Sequence, residues 1–223
     1  MTSLVPHILV IDPGVKQPEL ASFNRLALSS RLPLTYHLPA LFGLSSLASE
    51  DMETARGVII MGSASSVNDK LPWQIELAAF IKPHLTAGLP ALGLCFGHQF
   101  LAHMFGGQVA YAWDDQHKAV GQREISLDTC KLWPRAQGSL VVSHCEAVVQ
   151  VPDCFAVVGH STEVMVEALE HRSLPIWSFQ SHPEATRTFL LGQGTELQPE
   201  SLVFGHTLVQ KFLDFAAAHQ AGE

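Results

Sequence analysis

The chain carries little charge, and little of that is basic. Asp, Glu, Lys and Arg make up 15% of its 223 residues, with 21 acidic against 13 basic, for a formal net charge of -8. Such a balance favours neither nucleic acid nor an anionic membrane surface. There is no run of 18 apolar residues, so no membrane-spanning helix is expected. Met1 to Pro6 has no basic stretch ahead of an apolar one; no targeting segment is expected, and a cytoplasmic location is. The four cysteines (Cys95, Cys130, Cys145, Cys154) lack Cys-x-x-Cys spacing. They read as free thiols in a reducing compartment. The glycines form neither a Walker loop nor a dinucleotide fingerprint, and repeats and low-complexity stretches are absent. No nucleotide, other cofactor or metal is therefore expected.

Apolar residues make up 47% of the chain. That fraction argues against disorder, and the length fits one α/β domain over residues 1–223. Apolar runs at His7–Asp12, Leu34–Leu38, Val58–Gly62 and Ala91–Leu94 read as strands. They alternate with helical patterns at Pro18–Ser29, Trp73–Ala87 and Gly97–Phe105, as right-handed βαβ units around a parallel sheet do. The second half is richer in strands: Val109–Trp113, Arg123–Leu127, Leu140–Ser143, Ala156–Gly159, Val164–Leu169 and Ile176–Gln180. Some of these are expected as antiparallel additions. A helix from about Pro199 to Ala218 reads as a covering helix with one apolar face.

The strand Ala91–Leu94 runs directly into Gly93-Leu94-Cys95-Phe96-Gly97, and a helical pattern follows at once. This is the pattern of a nucleophile elbow with Cys as nucleophile. Glycines flank the turn because neighbouring backbone comes too close for a Cβ. The first turn of the next helix supplies free N–H groups and a positive dipole end, which lower a thiol pKa and can hold an oxyanion. A buried core thiol is the alternative reading of Cys95. Near the C-terminus, Ile176–Gln180 ends in Ser181-His182-Pro183-Glu184. On an extended segment His182 and Glu184 project to one side, which would let the carboxylate orient the imidazole. With 12 histidines in the chain, this pair alone is a weak signal.

Together, GLCFGHQ and FQSHPE resemble the class I (triad) glutamine amidotransferases, and specifically their free-standing, GMP-synthetase-like branch. The resemblance extends over nearly the whole chain. Gly62-Ser63-Ala64 looks like the family's oxyanion loop, Pro72-Trp73 opens the helix before the elbow strand, and Ser143-His144-Cys145-Glu146 looks like its Ser-His-Gly-Asp segment. The resemblance implies a flavodoxin-like, mostly parallel sheet flanked by helices, with added antiparallel strands. It implies Cys95 as nucleophile, His182 as general base and acid, and Glu184 as orienter. The N–H groups of Ser63 and Phe96 would form the oxyanion hole. Gly62, Gln99, Ser143, His144 and Cys145 would bind substrate. The implied reaction is hydrolysis of the glutamine γ-carboxamide through a γ-glutamyl thioester. Ammonia would pass to an acceptor or to a separate synthetase subunit. The alternative is a γ-glutamyl peptidase with the same triad, and a non-catalytic regulatory module is a further one.

The chain departs from the family pattern in two places, and no attached synthetase domain is expected. Gly62-Ser63-Ala64 stands where Gly-Gly-Pro is usual, and Cys145-Glu146 replaces Gly-Asp. A side chain at 145 would narrow the α-amino-acid end of the pocket. Of the remaining features, Asp114–His117 reads as a solvated loop whose spacing fits no standard zinc pattern. His98 is expected beside the site or in packing, His103 in packing. Gly192–Thr195 reads as a surface loop that could border the site.

Overall fold

The structure, a computed structural model, describes residues 5–47, 49–194 and 199–219. Expectations placed on Met1–Leu4 and Thr195 lie outside them. In chain order the elements are β1 (His7–Ile11), α1 (Leu20–Ser29), β2 (Leu34–His37), α2 (Pro39–Phe42), α3 (Ser49–Thr54), β3 (Ala55–Ile60), α4 (Pro72–Thr86), β4 (Ala91–Leu94), α5 (Phe96–Met104), β5 (Gln108–Tyr111), β6 (Ala119–Leu127), β7 (Ala136–His144), β8 (Glu146–Gln150), β9 (Phe155–His160), β10 (Ala168–His171), β11 (Ile176–Phe179), α6 (Arg187–Gly192) and α7 (Pro199–Ala218).

Nine strands form one sheet in the order β2-β1-β3-β4-β11-β10-β9-β6-β7, while β5 and β8 pair separately. From β2 to β11 every pairing is parallel. From β11 to β7 every pairing is antiparallel. This is the expected parallel sheet with antiparallel additions. The parallel strands are covered on both faces, so they read as continuous apolar runs. In β1, Leu9 and Ile11 face one core while Ile8 and Val10 face the other, as the period of two requires. The first core is covered by α4 and α5 through Leu77, Ile81, Phe100 and Leu101. The second is covered by α1 and α7 through Leu26, Leu208, Phe212 and Ala216. The C-terminal helix therefore does cover the sheet, as its apolar face indicates.

Two local expectations are corrected, and one strand is found that was not expected. The strand expected over Val164–Leu169 begins only at Ala168. Ser161 closes a turn before it, its Oγ accepting the Val164 N–H at 2.9 Å, and this removes the intervening residues from the sheet. Strand β8 follows Cys145 without a loop and pairs with β5; its short run gives no period to read. His103 is exposed on the last turn of α5 rather than packed.

Candidate active site

Cys95 occupies the single position between the end of β4 and the start of α5, with φ 51° and ψ -102°. Positive φ is uncommon for a side chain with a Cβ and is held only where surrounding structure fixes it. Here the Cys95 N–H is tied to the Phe179 carbonyl at 2.8 Å, and the Gly97 N–H to the Met61 carbonyl at 3.2 Å. A Cβ at Gly97 would stand 2.1 Å from the Ile60 carbonyl oxygen; only glycine lets the elbow press this closely on β3. The Phe96 side chain packs against Trp73 and Phe100. The Phe96 N–H has no partner among the described residues.

His182 follows β11, and its N–H donates to the Val141 carbonyl at 2.7 Å. Its ring Nδ1 lies 2.9 Å from Glu184 Oε1, and both side chains are buried. The geometry corrects one expectation. The pair meets across a turn, not an extended segment: Ala185 N–H returns to the His182 carbonyl at 3.1 Å, with Pro183 at the second turn position, where its fixed φ is favoured. Burial disfavours the charged imidazole, but Cys95 and the Glu184 carboxylate outweigh it and hold the ring well above its ordinary pKa. Gly62 stands close to both His182 and Cys95. A Cβ there would stand 2.7 Å from His182 Cε1 and 3.6 Å from Cys95 Cβ.

The other expected residues surround this centre. Ser63 Oγ donates to the Pro13 carbonyl at 2.7 Å, and its own N–H is without a partner among the described residues. The Ser143 carbonyl accepts the Cys95 thiol at 3.8 Å. The Ser143 hydroxyl donates to Gln193 Oε1 at 3.0 Å, which also accepts from Lys118 Nζ at 2.9 Å. Both amide hydrogens of Gln99 are spent on protein, at 2.8 Å to the Glu146 carbonyl and 3.2 Å to Gln180 Oε1; its Oε1 is the part left for a ligand. The Cys145 carbonyl accepts from Ala112 N–H at 2.9 Å. His144 is pinned at both nitrogens, by the Glu146 carbonyl at 2.9 Å and by Arg123 at 3.0 Å. Burial, with the Arg123 charge beside it, lowers its pKa to about 4. It is therefore neutral, with Nδ1 donating and Nε2 accepting. Gly62, Ser63, Cys95, Gln99, Ser143, His144, Cys145, His182 and Glu184 all line one cavity of about 640 Å³.

The family model of the glutamine amidotransferase class-I domain matches residues 38–190. The chain belongs to the class I glutamine amidotransferase family. It is 36% identical over 134 residues to a GMP synthase (glutamine-hydrolyzing) subunit of Methanopyrus kandleri, covering 59% of this chain and 68% of that one. To the Wolinella succinogenes GMP synthase (glutamine-hydrolyzing) it is 32% identical over 140 residues, 60% of this chain but only 25% of that protein. The chain thus spans about a quarter of that longer relative. A glutamine amido transferase structure from Methylobacillus flagellatus superposes with a TM-score of 0.75 at 18% identity, covering 98% of this chain and 97% of that one. One from Thermotoga maritima does so at 0.74 and 14%, covering 96% and 98%. At such identities these two establish the fold.

Within this amidotransferase fold the sequence motifs do not single out four residues of the site: Gln180, Gln193, Lys118 and Arg123. Gln180 stands in FQSHPE without a role assigned to it. Gln193 belongs to the loop expected to border the site, and it does line the cavity. Lys118 and Arg123 carry no motif. His98 is buried against Ser178 Oγ at 2.8 Å, with its pKa lowered to about 3, chiefly by burial. Asp115 and His117 form an exposed pair at 2.6 Å. Among the described residues no cluster of three or more His, Cys, Asp or Glu could hold a metal, and no helix is long and apolar enough to cross a membrane.

Proposed function

We propose that the chain hydrolyses the γ-carboxamide of glutamine with Cys95, His182 and Glu184 as its triad. The observation that carries this reading is the buried 2.9 Å His182–Glu184 pair set beside a cysteine at positive φ. Cys95 thiolate attacks the carbonyl carbon, and the oxygen gathers charge facing the free N–H groups of Ser63 and Phe96. His182, oriented by Glu184, gives its proton to the departing nitrogen, so ammonia leaves and a γ-glutamyl thioester remains. His182 then takes a proton from water, the hydroxide attacks the thioester, and glutamate departs as the thiolate is regenerated. Proton transfer by His182 is worth about 10²–10⁴-fold, and each oxyanion donor about 10²–10³-fold. Gln99 Oε1 and the 143–145 backbone receive the α-amino and α-carboxyl groups. The Methanopyrus kandleri relative bears the name of one GMP synthase subunit, which supports a separate synthetase partner as the acceptor of ammonia.

The cavity volume of about 640 Å³ favours a second reading, since a space of this size takes ligands well above glutamine. A γ-glutamyl peptide would form the same acyl-enzyme and differ only in its leaving group. Mass spectrometry after incubation with a diazoketone analogue of glutamine tests the triad. One adduct on Cys95, absent in Cys95→Ser, is expected. Wild-type-like ammonia release by Cys95→Ser or His182→Ala would overturn the assignment. Protection from labelling by glutamine, set against protection by γ-glutamyl dipeptides, separates the two substrates.

A further inference from the structure

Gln180 is the first residue beyond β11, and its side chain is fully buried. A carboxamide is costly to bury unless both ends are bonded. Here a chain of hydrogen bonds fixes which end faces which way. The Glu146 carbonyl can only accept, so Gln99 must turn its NH₂ toward it, at 2.8 Å. The second hydrogen of that NH₂ points at Gln180 and requires an acceptor, met by Gln180 Oε1 at 3.2 Å. The Gln180 NH₂ is thereby committed to the other side, where it reaches Cys95 Sγ at 3.9 Å. The sulfur has a second neighbour of opposite character, the Ser143 carbonyl at 3.8 Å. A carbonyl accepts from a thiol but repels a thiolate; an amide N–H stabilises the thiolate.

We infer that Gln180 is a positioning residue for Cys95: held by Gln99, its carboxamide donates to the sulfur once the thiol has lost its proton, and it turns the thiolate away from the Ser143 carbonyl. The inference rests on the proposed role of Cys95 as nucleophile. It also gives Gln99 a structural duty beyond contact with substrate, that of locking the orientation of the Gln180 amide.

The test is the pH profile of Cys95 alkylation by iodoacetamide, followed by peptide mass spectrometry on the intact chain. This probe needs no glutamine pocket. Wild type is compared with Gln180→Met, which keeps the volume, and Gln180→Glu, which keeps the shape and replaces the donor by an acceptor. Gln180→Met should move the midpoint upward and slow alkylation at neutral pH by about tenfold, the scale of a hydrogen bond to a charged group. Gln180→Glu should slow it further, with a carboxylate facing the sulfur. Glutamine turnover should fall in kcat with KM little changed. Coincident profiles in wild type and in the folded variants would overturn the inference. If Gln180→Met does not fold, the isosteric Gln180→Glu decides by the same criterion. Should wild-type Cys95 alkylate no faster than Cys154, the nucleophile reading falls and this one with it. A fast wild-type reaction with unmoved variants overturns the Gln180 inference alone.

Discussion

The parallel and antiparallel halves of the sheet hold the site by different means. In β1, β4 and β11 every residue is buried. Close apolar packing on both faces makes a backbone stiff enough to keep Cys95 at φ 51°. The antiparallel half, by contrast, buries charge. Arg123 on β6 donates to Glu167 at 2.9 Å and holds His144 at 3.0 Å, and Ser161 donates to Glu167 at 2.8 Å. The sheet curls so that β7, four strands beyond β11, returns to the site. Its Val141 carbonyl takes the His182 N–H and its Ser143 carbonyl the Cys95 thiol. One half supplies a strained nucleophile; the other supplies a wall positioned by polar bonds. Strain is tolerated where packing is apolar and complete; on the polar side position is set by paired charges, although Arg123 Nε and Nη2 and Glu167 Oε2 have no hydrogen-bond partner among the described residues.

The largest effect expected is on the strained side. Cys95→Gly should lower glutamine turnover by about 10⁴-fold or more. The same change should raise stability by about 1 kcal/mol, because glycine accepts positive φ freely. Ammonia release and urea unfolding of one preparation measure both. A loss of stability would show that the elbow stores no strain. On the polar side, Arg123→Met should cost about 3–5 kcal/mol by leaving Glu167 uncompensated, and the added change Glu167→Leu should recover most of it. An undiminished loss in the double variant would place the Arg123 contribution in packing against Trp113 instead of in the ion pair.

A third effect is pH-dependent. His144 binds a proton at about 4 in the folded chain, against an ordinary value of 6.5. Between those values the unfolded chain holds more protons, so stability falls as pH drops through that window and is complete above it. The amount is about 3 kcal/mol, at 1.36 kcal/mol for each unit. His98, lowered to about 3, acts with the same sign. His182, raised well above 6.5, acts oppositely, contributing stability that is lost as pH rises. Urea titrations of His144→Gln against wild type across pH 4 to 7 should show a flatter acid slope in the variant; equal slopes would mean that His144 charges while folded.

The same contrast explains what was legible in the sequence. The parallel strands announce themselves as apolar runs, and Gly93-Leu94-Cys95-Phe96-Gly97 announces the turn, since no other residue fits at Gly97. The His182 segment was legible as a partner but not in its geometry: spacing suggested an extended pair, while the Pro183 turn and the Val141 carbonyl, distant in sequence, fix the real one. The antiparallel half hid more. Arg123 carries no motif, and its buried place depends on partners in β7 and the 161–167 segment. Gln180 and Gln193 acquire their duties from partners on other elements, Gln99 and Ser143, and no local pattern encodes such partners.

The smallest effect expected lies where the two halves meet, at Gly62. This residue opens the loop after β3, on the strained side, yet a Cβ there would meet a ring whose backbone is tied to β7. The 2.7 Å approach to His182 Cε1 lies well inside contact distance, and Cys95 Cβ stands behind it. The Gly62→Ala side chain must therefore push the imidazole or the nucleophile rather than find space. The sheet is untouched, so the fold should survive. A displacement of the order of 1 Å from reacting geometry costs about 10²-fold. The loss should fall on kcat, with KM for glutamine changed far less, because the atoms nearest the added Cβ belong to His182 and Cys95. Steady-state kinetics would show this split. A rise in KM at unchanged kcat would mean that the loop yields instead of the imidazole, and that His182 is held more firmly by β7 and Glu184 than the elbow side holds Gly62.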